Sequence, residues 1–462
     1  MEYPLSNIKT PKNIMTRSAL PAISRREFAT RCALAGLATT FPSLASANAA
    51  RNPDKIKIGL VGCGNRGVGA LMDAVLSTPN VEICALADLF PEQVESALKK
   101  LRVPQKEVVR RDAVQYGNLV VEWNRFESVK VTPETCFTGF DACQKLLQTD
   151  VDVVVLATPP GFRPMQIRAV LEAGKHVFAE KPVAIDPVGV RSVLQSEQLA
   201  RTKRLGFMGG TQLRFHRAYR EIMKRVHGGE IGSLICGKCF WWSDYYVAWK
   251  AQPRQAAWSD MEHQIRCWPH FAWLSGDHIV ENLVHNIDVM NWAMGGPPKT
   301  AVGQGGHANW EDWPTKGNVF DHFFIEYEYP NGTHVSASSR QNKNSTSRIG
   351  ERIYGTKGTA TPDNRIEGEN KFEFPGPFDN PRYIQWAAFI DSIRQGAPLN
   401  LGKDVAESTM TAILGRMSAY TGRAMNYSWA LNTSKLDLSP PSYAFGPLPD
   451  APLPVPGRTP VI

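Results

Sequence analysis

The chain has 462 residues, 43% of them hydrophobic and 21% charged, which excludes a disordered or low-complexity protein and leaves length for two domains with extensions. Half of the formal net charge of +8 comes from the first fifty residues, where Lys9, Lys12, Arg17, Arg25, Arg26 and Arg31 outnumber Glu2 and Glu27. The remaining excess forms no basic run that argues for a nucleic-acid partner, and no apolar run reaches the ~20 residues of a membrane span.

The N-terminus is built like an export signal. Ser24-Arg-Arg-Glu-Phe28 resembles the twin-arginine (Tat) pattern. It precedes a weakly apolar stretch from Cys32 to Ala45 and small-residue cleavage sites at Ala45-Ser-Ala47 and Ala47-Asn-Ala49. The expectation is a leader over 1–49 read by the Tat export machinery, and a periplasmic or otherwise exported protein. The plainer reading is a disordered basic leader.

Lys55 to Val61 reads as a buried strand and Ala70 to Leu76 as a helix. Between them, Gly62-Cys-Gly-Asn-Arg-Gly67 places G-x-G-x-x-G at a strand-to-helix turn, the context that gives the motif meaning. Gly62 suits the tight turn, Gly64 lets backbone approach a pyrophosphate, and Gly67 lets helix and strand pack closely. The helix N-terminus offers N–H groups to phosphate, so Asn65 and Arg66 join the glycines as cofactor-binding candidates. The next strand, Val81 to Ala87, ends in Asp88. A carboxylate there accepts ribose hydroxyls and repels a 2′-phosphate, which favours NAD; Arg66 leaves NADP open.

Pro91 to Leu101 follows as a helix, Arg102 to Glu134 as a polar insertion and Cys136 to Thr138 as a short strand. Val151 to Ala157, His176 to Ala179 and Leu205 to Gly210 are further strands, with helices over Pro164 to Ala173 and Pro187 to Arg201 between them. This alternation argues a doubly wound parallel sheet over 50–210. After Gly210 come a helix from about Arg217, an aromatic strand from Leu234 to Trp249, and a helix from Glu281 to Trp292. Phe320 to Tyr329 and Thr333 to Ser339 flank Pro330-Asn-Gly332, a hairpin signal. Residues 211–430 therefore read as an α+β domain with a largely antiparallel sheet. The last helices run over Pro381 to Arg394 and Val405 to Tyr420, and 431–462 forms a proline-rich arm.

Glu180-Lys-Pro182 follows a sheet strand and so sits at the carboxyl edge, where open α/β folds bind ligands. A lysine desolvated beside a cationic nicotinamide loses affinity for its proton and becomes usable as an acid or base. A cis Pro182 would fix its direction. Taken with Ala157-Thr-Pro159, Ala173-Gly-Lys-His176 and Gly355-Thr-Lys-Gly358, these motifs resemble the Gfo/Idh/MocA family of NAD(P)-dependent oxidoreductases over nearly everything from Lys55 to about Gly422. The resemblance implies an N-terminal Rossmann domain followed by an α+β domain, with Thr158, Pro159, Glu180 and Lys181 beside the cofactor. It also implies that Lys181 assists proton transfer, and that antiparallel sheets pair between subunits of a homo-oligomer.

Within Glu281-Asn-Leu-Val-His-Asn-Ile-Asp288, His285 falls on the family's catalytic histidine, while Glu281 replaces the usual aspartate and Leu283 a frequent glycine. On one unbroken helix, Glu281, His285 and Asp288 share a face, and carboxylate partners raise a histidine's pKa and fix its tautomer. The alternative is a buried histidine satisfied by its neighbours. Gln212 and Arg214 should face the cleft between domains, with Arg214 either clamping substrate or pairing with a helix carboxylate. Trp241, Trp242, Tyr245, Tyr246 and Trp249 read as sheet or interface packing before sugar stacking. Met261 to His278 reads as a substrate loop, and its Glu262, His263, His270, Asp277 and His278 fit no familiar metal site, so no metal is expected. Cys236-Gly-Lys-Cys239 lies in a strand, where positions three apart face opposite sides, and reads as structural.

The expected activity is hydride transfer between NAD and a carbon bearing a sugar or polyol hydroxyl. The alternatives are NAD-dependent glycoside cleavage or epimerisation through transient oxidation, and a non-catalytic dinucleotide-binding regulator. Export also implies a cofactor that stays bound, with 48–54 and the proline-rich tail as the arms that could cover it.

Overall fold

Six apolar strands build a parallel sheet in the order Cys136–Thr138, Val81–Asp88, Ile56–Val61, Val153–Leu156, His176–Ala179, Phe207–Gly209. Numbered along this sheet the order is 3-2-1-4-5-6, the doubly wound pattern, and its direction reverses between Ile56–Val61 and Val153–Leu156. Val153–Leu156 is buried at every residue, as a strand covered on both faces must be. The computed structural model describes residues 54–110, 118–243, 252–308, 317–376 and 379–462. The twin-arginine leader lies outside the described residues, as do residues 48–53, Tyr245, Tyr246 and Trp249.

The second sheet has nine strands in the order Phe372–Glu373, Arg365–Gly368, Gly358–Thr361, Arg348–Gly355, Leu234–Ser243, His334–Gln341, His322–Glu328, Thr300–Gly306, Met425–Asn426. Its pairs are antiparallel except Leu234–Ser243 with His334–Gln341. His322–Glu328 and His334–Gln341 form the expected hairpin, with Gly332 at φ +80° in its turn and buried residues at alternate positions. Helices Val284–Met294 and Gly402–Thr421 cover one face, through contacts such as Tyr327 Oη of strand His322–Glu328 donating to Thr411 O at 3.0 Å. Cys236 and Cys239 are free thiols in Leu234–Ser243, the first partly exposed and the second buried.

Three stretches differ from the sequence expectation. The polar insertion contains a two-stranded antiparallel hairpin, Gln105–Arg110 with Asn118–Trp123. Helix Pro381–Arg394, which the sequence assigns to the second domain, packs into the core of the first sheet: Trp386 stacks on Phe178 with ring centroids 4.0 Å apart. The supposed loop Met261 to His278 is largely helical, over Asp260–Arg266, Trp268–His270 and Ala272–Ser275. Its irregular spacing reflects short turns whose apolar residues Met261, Ile265, Cys267, Phe271 and Leu274 converge on a separate small core.

The proline-rich tail is an extended strap fastened by polar side chains. Leu438 N–H donates to Asp186 and Leu448 N–H to Asp260, at 2.8 and 3.0 Å, while Gln264 donates to Leu448 O at 2.8 Å. Between these ties, Tyr443 packs on Phe162 and Phe445 on Phe140, at 5.5 and 5.1 Å.

Candidate functional site

The carboxyl ends of the parallel strands open onto a cavity of about 490 Å³, within the size range of small-molecule sites. Gly62 turns the chain at φ +96°, and a Cβ there would lie 2.6 Å from Ala157 C and Thr158 N, so the loop presses against the neighbouring strand end. At Gly67 a Cβ would lie 2.0 Å from Gly62 O, which leaves no room for a side chain where the helix passes the loop. Gly64 has nothing within 4 Å of its Cβ position and lines the cavity. Helix Asn65–Ser77 starts there without a side-chain cap or an acid in its first turn, so its leading N–H groups suit an anion.

Asp88 lines the same cavity and is held from behind. Its carboxylate accepts Cys63 N–H at 2.7 Å and Phe90 N–H at 3.0 Å, and burial pushes its pKa up. Each oxygen keeps acceptor capacity for a ribose hydroxyl. Arg66, which the sequence left within reach of a 2′-phosphate, turns to the other end of the cavity. Its guanidinium donates to Glu180 at 2.7 Å and to Asp73 at 3.2 Å, tying the glycine loop to the Glu180-Lys-Pro182 turn. Thr158 and Pro159 line the wall between these two ends.

At the far end the Lys181–Pro182 peptide is cis. Lys181 Nζ donates to Glu281 Oε1 at 2.8 Å and also to the Glu281 carbonyl oxygen. That second bond explains a departure from the expected helix over Glu281 to Trp292. In an unbroken helix the Glu281 carbonyl would accept from His285 N–H. Here Lys181 takes it, His285 N–H turns to Asn282 O at 3.3 Å, and the segment splits into His278–Glu281 and Val284–Met294. Glu281 therefore holds Lys181 from a separate turn instead of sharing a helix face with His285. His285 lies in the first turn of Val284–Met294 with Trp241 stacked on it at 5.9 Å. Trp241 also lines the cavity, beyond the packing role the sequence favours for it.

Lys181, His285, Glu180, Arg66 and Gln212 line one small chamber at this end. Arg214 and Asp288 do not join them. Arg214 donates to both Asp288 oxygens, at 2.8–3.1 Å, Ser408 adds a bond at 2.7 Å, and Asp404 takes another guanidinium nitrogen at 3.2 Å. Of the two readings of Arg214 the structure takes the helix-carboxylate pair, and Asp288 is the carboxylate it takes. The sequence missed Arg382 and Gln385, which reach the chamber from Pro381–Arg394, and Phe90, Phe140 and Arg266 at the opposite end. Arg382, Gln385 and Arg266 come from elements remote in sequence from the motifs, whereas Phe90 follows Asp88 by two residues and its proximity to that carboxylate was the available signal. Among the described residues no cluster of His, Cys, Asp or Glu is arranged to hold a metal.

Residues 56–205 match the model of an oxidoreductase family with an NAD-binding Rossmann fold, and residues 219–361 match the GFO/IDH/MocA C-terminal domain. The chain belongs to the Gfo/Idh/MocA family. Relatives include inositol 2-dehydrogenase of Salmonella typhimurium, 24% identical over 53% of this chain and 56% of that protein. Another is 2,7-anhydro-N-acetylneuraminate hydratase of Escherichia coli, 25% identical over 39% of this chain and 44% of that protein. The matched region thus spans about half the length of these curated relatives. Among solved structures, aldose-aldose oxidoreductase from Caulobacter crescentus superposes with a TM-score of 0.60 at 16% identity, over 80% of this chain and 99% of that one. That likeness establishes the fold.

A Gfo/Idh/MocA fold implies a nicotinamide dinucleotide, and the residues present fit one. Gly64 leaves open space where a side chain would block a pyrophosphate, the helix start offers N–H donors, and Asp88 presents a fixed carboxylate to the same cavity. With Arg66 committed to Glu180 and Asp73, the cradle favours NAD over NADP.

Proposed function

We propose that the protein is an NAD-dependent oxidoreductase acting on a sugar or polyol hydroxyl carbon. The observation that carries this is the convergence of Lys181 and His285 on one chamber at the nicotinamide end of the cavity. Bound NAD supplies the hydride acceptor or donor. In the oxidative direction the carbon loses a hydride and the hydroxyl loses a proton, and this chain's residues manage the proton. Lys181, an ammonium paired with Glu281, donates N–H to the substrate oxygen and favours its anionic form. His285 is the group in the chamber that accepts the released proton, with Trp241 holding its ring plane. The test is absorbance of reduced nicotinamide across a panel of sugars and polyols. Turnover that falls by about 10²–10⁴ in both Lys181→Ala and His285→Ala supports the assignment; full activity in either variant overturns it.

A second reading, elimination or hydrolysis through transient oxidation with NAD that never leaves, is favoured by the strap. Phe445 packs on Phe140 and Phe90, both of which line the cavity, and its flanks are tied down at Asp186 and Asp260. Names such as hydratase among the relatives accord with it. We infer further that the twin-arginine leader directs export of the folded, cofactor-loaded protein. Dialysis followed by denaturation and assay for nicotinamide dinucleotide tests retention. Protein that emerges empty, or a Phe445→Ala variant that retains as much dinucleotide as the wild type, would refute the strap's role.

A further inference from the structure

The chamber beside Lys181 and His285 holds a cation that has no carboxylate partner among the described residues. Arg66 is taken by Glu180 and Asp73 at 2.7 and 3.2 Å, and Lys181 by Glu281 at 2.8 Å. Arg382 lines the same chamber, yet among the described residues no carboxylate lies within ion-pair distance of it. Asp379, three positions earlier, is taken by Arg217 at 2.7 Å.

The base of Arg382 is fixed in place. It occupies the second position of helix Pro381–Arg394, and its N–H donates to the Asn380 cap at 3.1 Å. One turn on, Gln385 donates to Gly209 O at 2.7 Å, at the end of the last parallel strand. Trp386 then buries the helix against Phe178. A guanidinium on so firmly placed a helix end, beside the reacting groups and with no carboxylate partner among the described residues, suits a ligand anion.

We propose that the substrate is an acidic sugar or polyol whose carboxylate docks on Arg382. This deepens the oxidoreductase reading and rests on it. Arg66, Lys181 and Arg382 all line the chamber; the first two are held by Glu180, Asp73 and Glu281, and Arg382 is the cation there that among the described residues has no carboxylate of its own. A neutral sugar offers the Arg382 guanidinium single hydroxyl acceptors, whereas a carboxylate fills its planar donor fork with two parallel charge-assisted bonds. The pyrophosphate of NAD is the competing anion. Its donors are at Gly64 and the helix start, and because Arg382 also lines the larger cavity with Gly64 and Asp88, the NAD arm of the experiment separates the two anions.

The experiment uses the full chain loaded with NAD and three probes: D-glucuronate, D-gluconate and D-glucose. Binding is read by calorimetry and turnover by reduced nicotinamide. The expected result is that at least one acid binds 100-fold or more tightly than glucose. Arg382→Gln should weaken acid binding by about 100-fold, the size of a lost charge-assisted pair. NAD affinity and the melting temperature should change little, and Arg382→Lys should recover part of the loss. Binding of acids that depends on Arg382, without turnover of any probe, supports the anchor and removes the oxidoreductase reading. Turnover of glucose that matches the acids and is unchanged in Arg382→Gln overturns the anchor and leaves that reading standing. An Arg382→Gln protein that loses NAD instead of the acid assigns the arginine to the cofactor and also overturns the proposal.

Discussion

Replacing Asp288 by Asn separates a structural carboxylate from a substrate-binding one. Asp288 is 1% exposed and takes three contacts of 2.8–3.1 Å from Arg214, with a fourth bond from Ser408 at 2.7 Å. The amide puts N–H donors against a guanidinium and leaves that cation with Asp404 alone, at 3.2 Å. Removing one partner of a buried pair costs about 3–5 kcal/mol. Asp404 and the partial exposure of Arg214 draw the value to the low end, about 3 kcal/mol. With an unfolding entropy of ~2.1 cal/mol/K per residue over roughly 400 residues, the melting temperature should fall by about 3–4 °C. The assay is thermal unfolding beside steady-state kinetics. KM for NAD and for sugar should stay within about threefold, and Arg214→Met with Asp288→Leu should recover much of the loss because no lone charge stays buried. An unchanged melting temperature with a tenfold higher KM for the sugar would put Asp288 in the substrate site and refute the argument.

Glu281→Gln should lower kcat by about 10–100-fold with little change in NAD affinity, because Lys181 loses its anionic partner and keeps only neutral carbonyl acceptors; kinetics with intact kcat would show the carboxylate to be dispensable. Asp88→Ser should raise KM for NAD about tenfold and let NADP compete, measured as the ratio of kcat/KM for the two cofactors; an unaltered ratio would detach Asp88 from the ribose. Glu351 is buried, accepts bonds from Asn286 and Tyr219, and has its pKa raised from 4.5 to about 7, mainly by burial. A raised acid stabilises the fold below its unfolded pKa, and that contribution is lost as pH climbs through the folded value. Wild type should therefore lose roughly 3 kcal/mol relative to Glu351→Gln between pH 4.5 and 7, at ~1.36 kcal/mol per unit; parallel urea midpoints across that range would contradict it.

Local chemistry made the dinucleotide half legible in the sequence. The glycine spacing, the β-branched strands and the carboxylate closing Val81–Asp88 each depend on neighbours within a few residues, and a turn that admits no side chain at Gly67 can only be written with glycine. The hairpin at Asn331-Gly332 and the position of Lys181 after His176–Ala179 follow for the same reason. The tertiary structure decided everything that depends on partners far along the chain. Glu281 left the helix of His285 because an ammonium a hundred residues away took its carbonyl. Arg214 and Asp288, both plausible in a cleft, were drawn to each other and to Gly402–Thr421, since two buried charges that meet satisfy one another before any ligand arrives. Arg382 carries no local motif; it became visible when Trp386 packed on Phe178 and brought its helix to the chamber. Short-range geometry is encoded residue by residue, whereas the pairing of a buried charge depends on which of many distant groups the fold sets beside it.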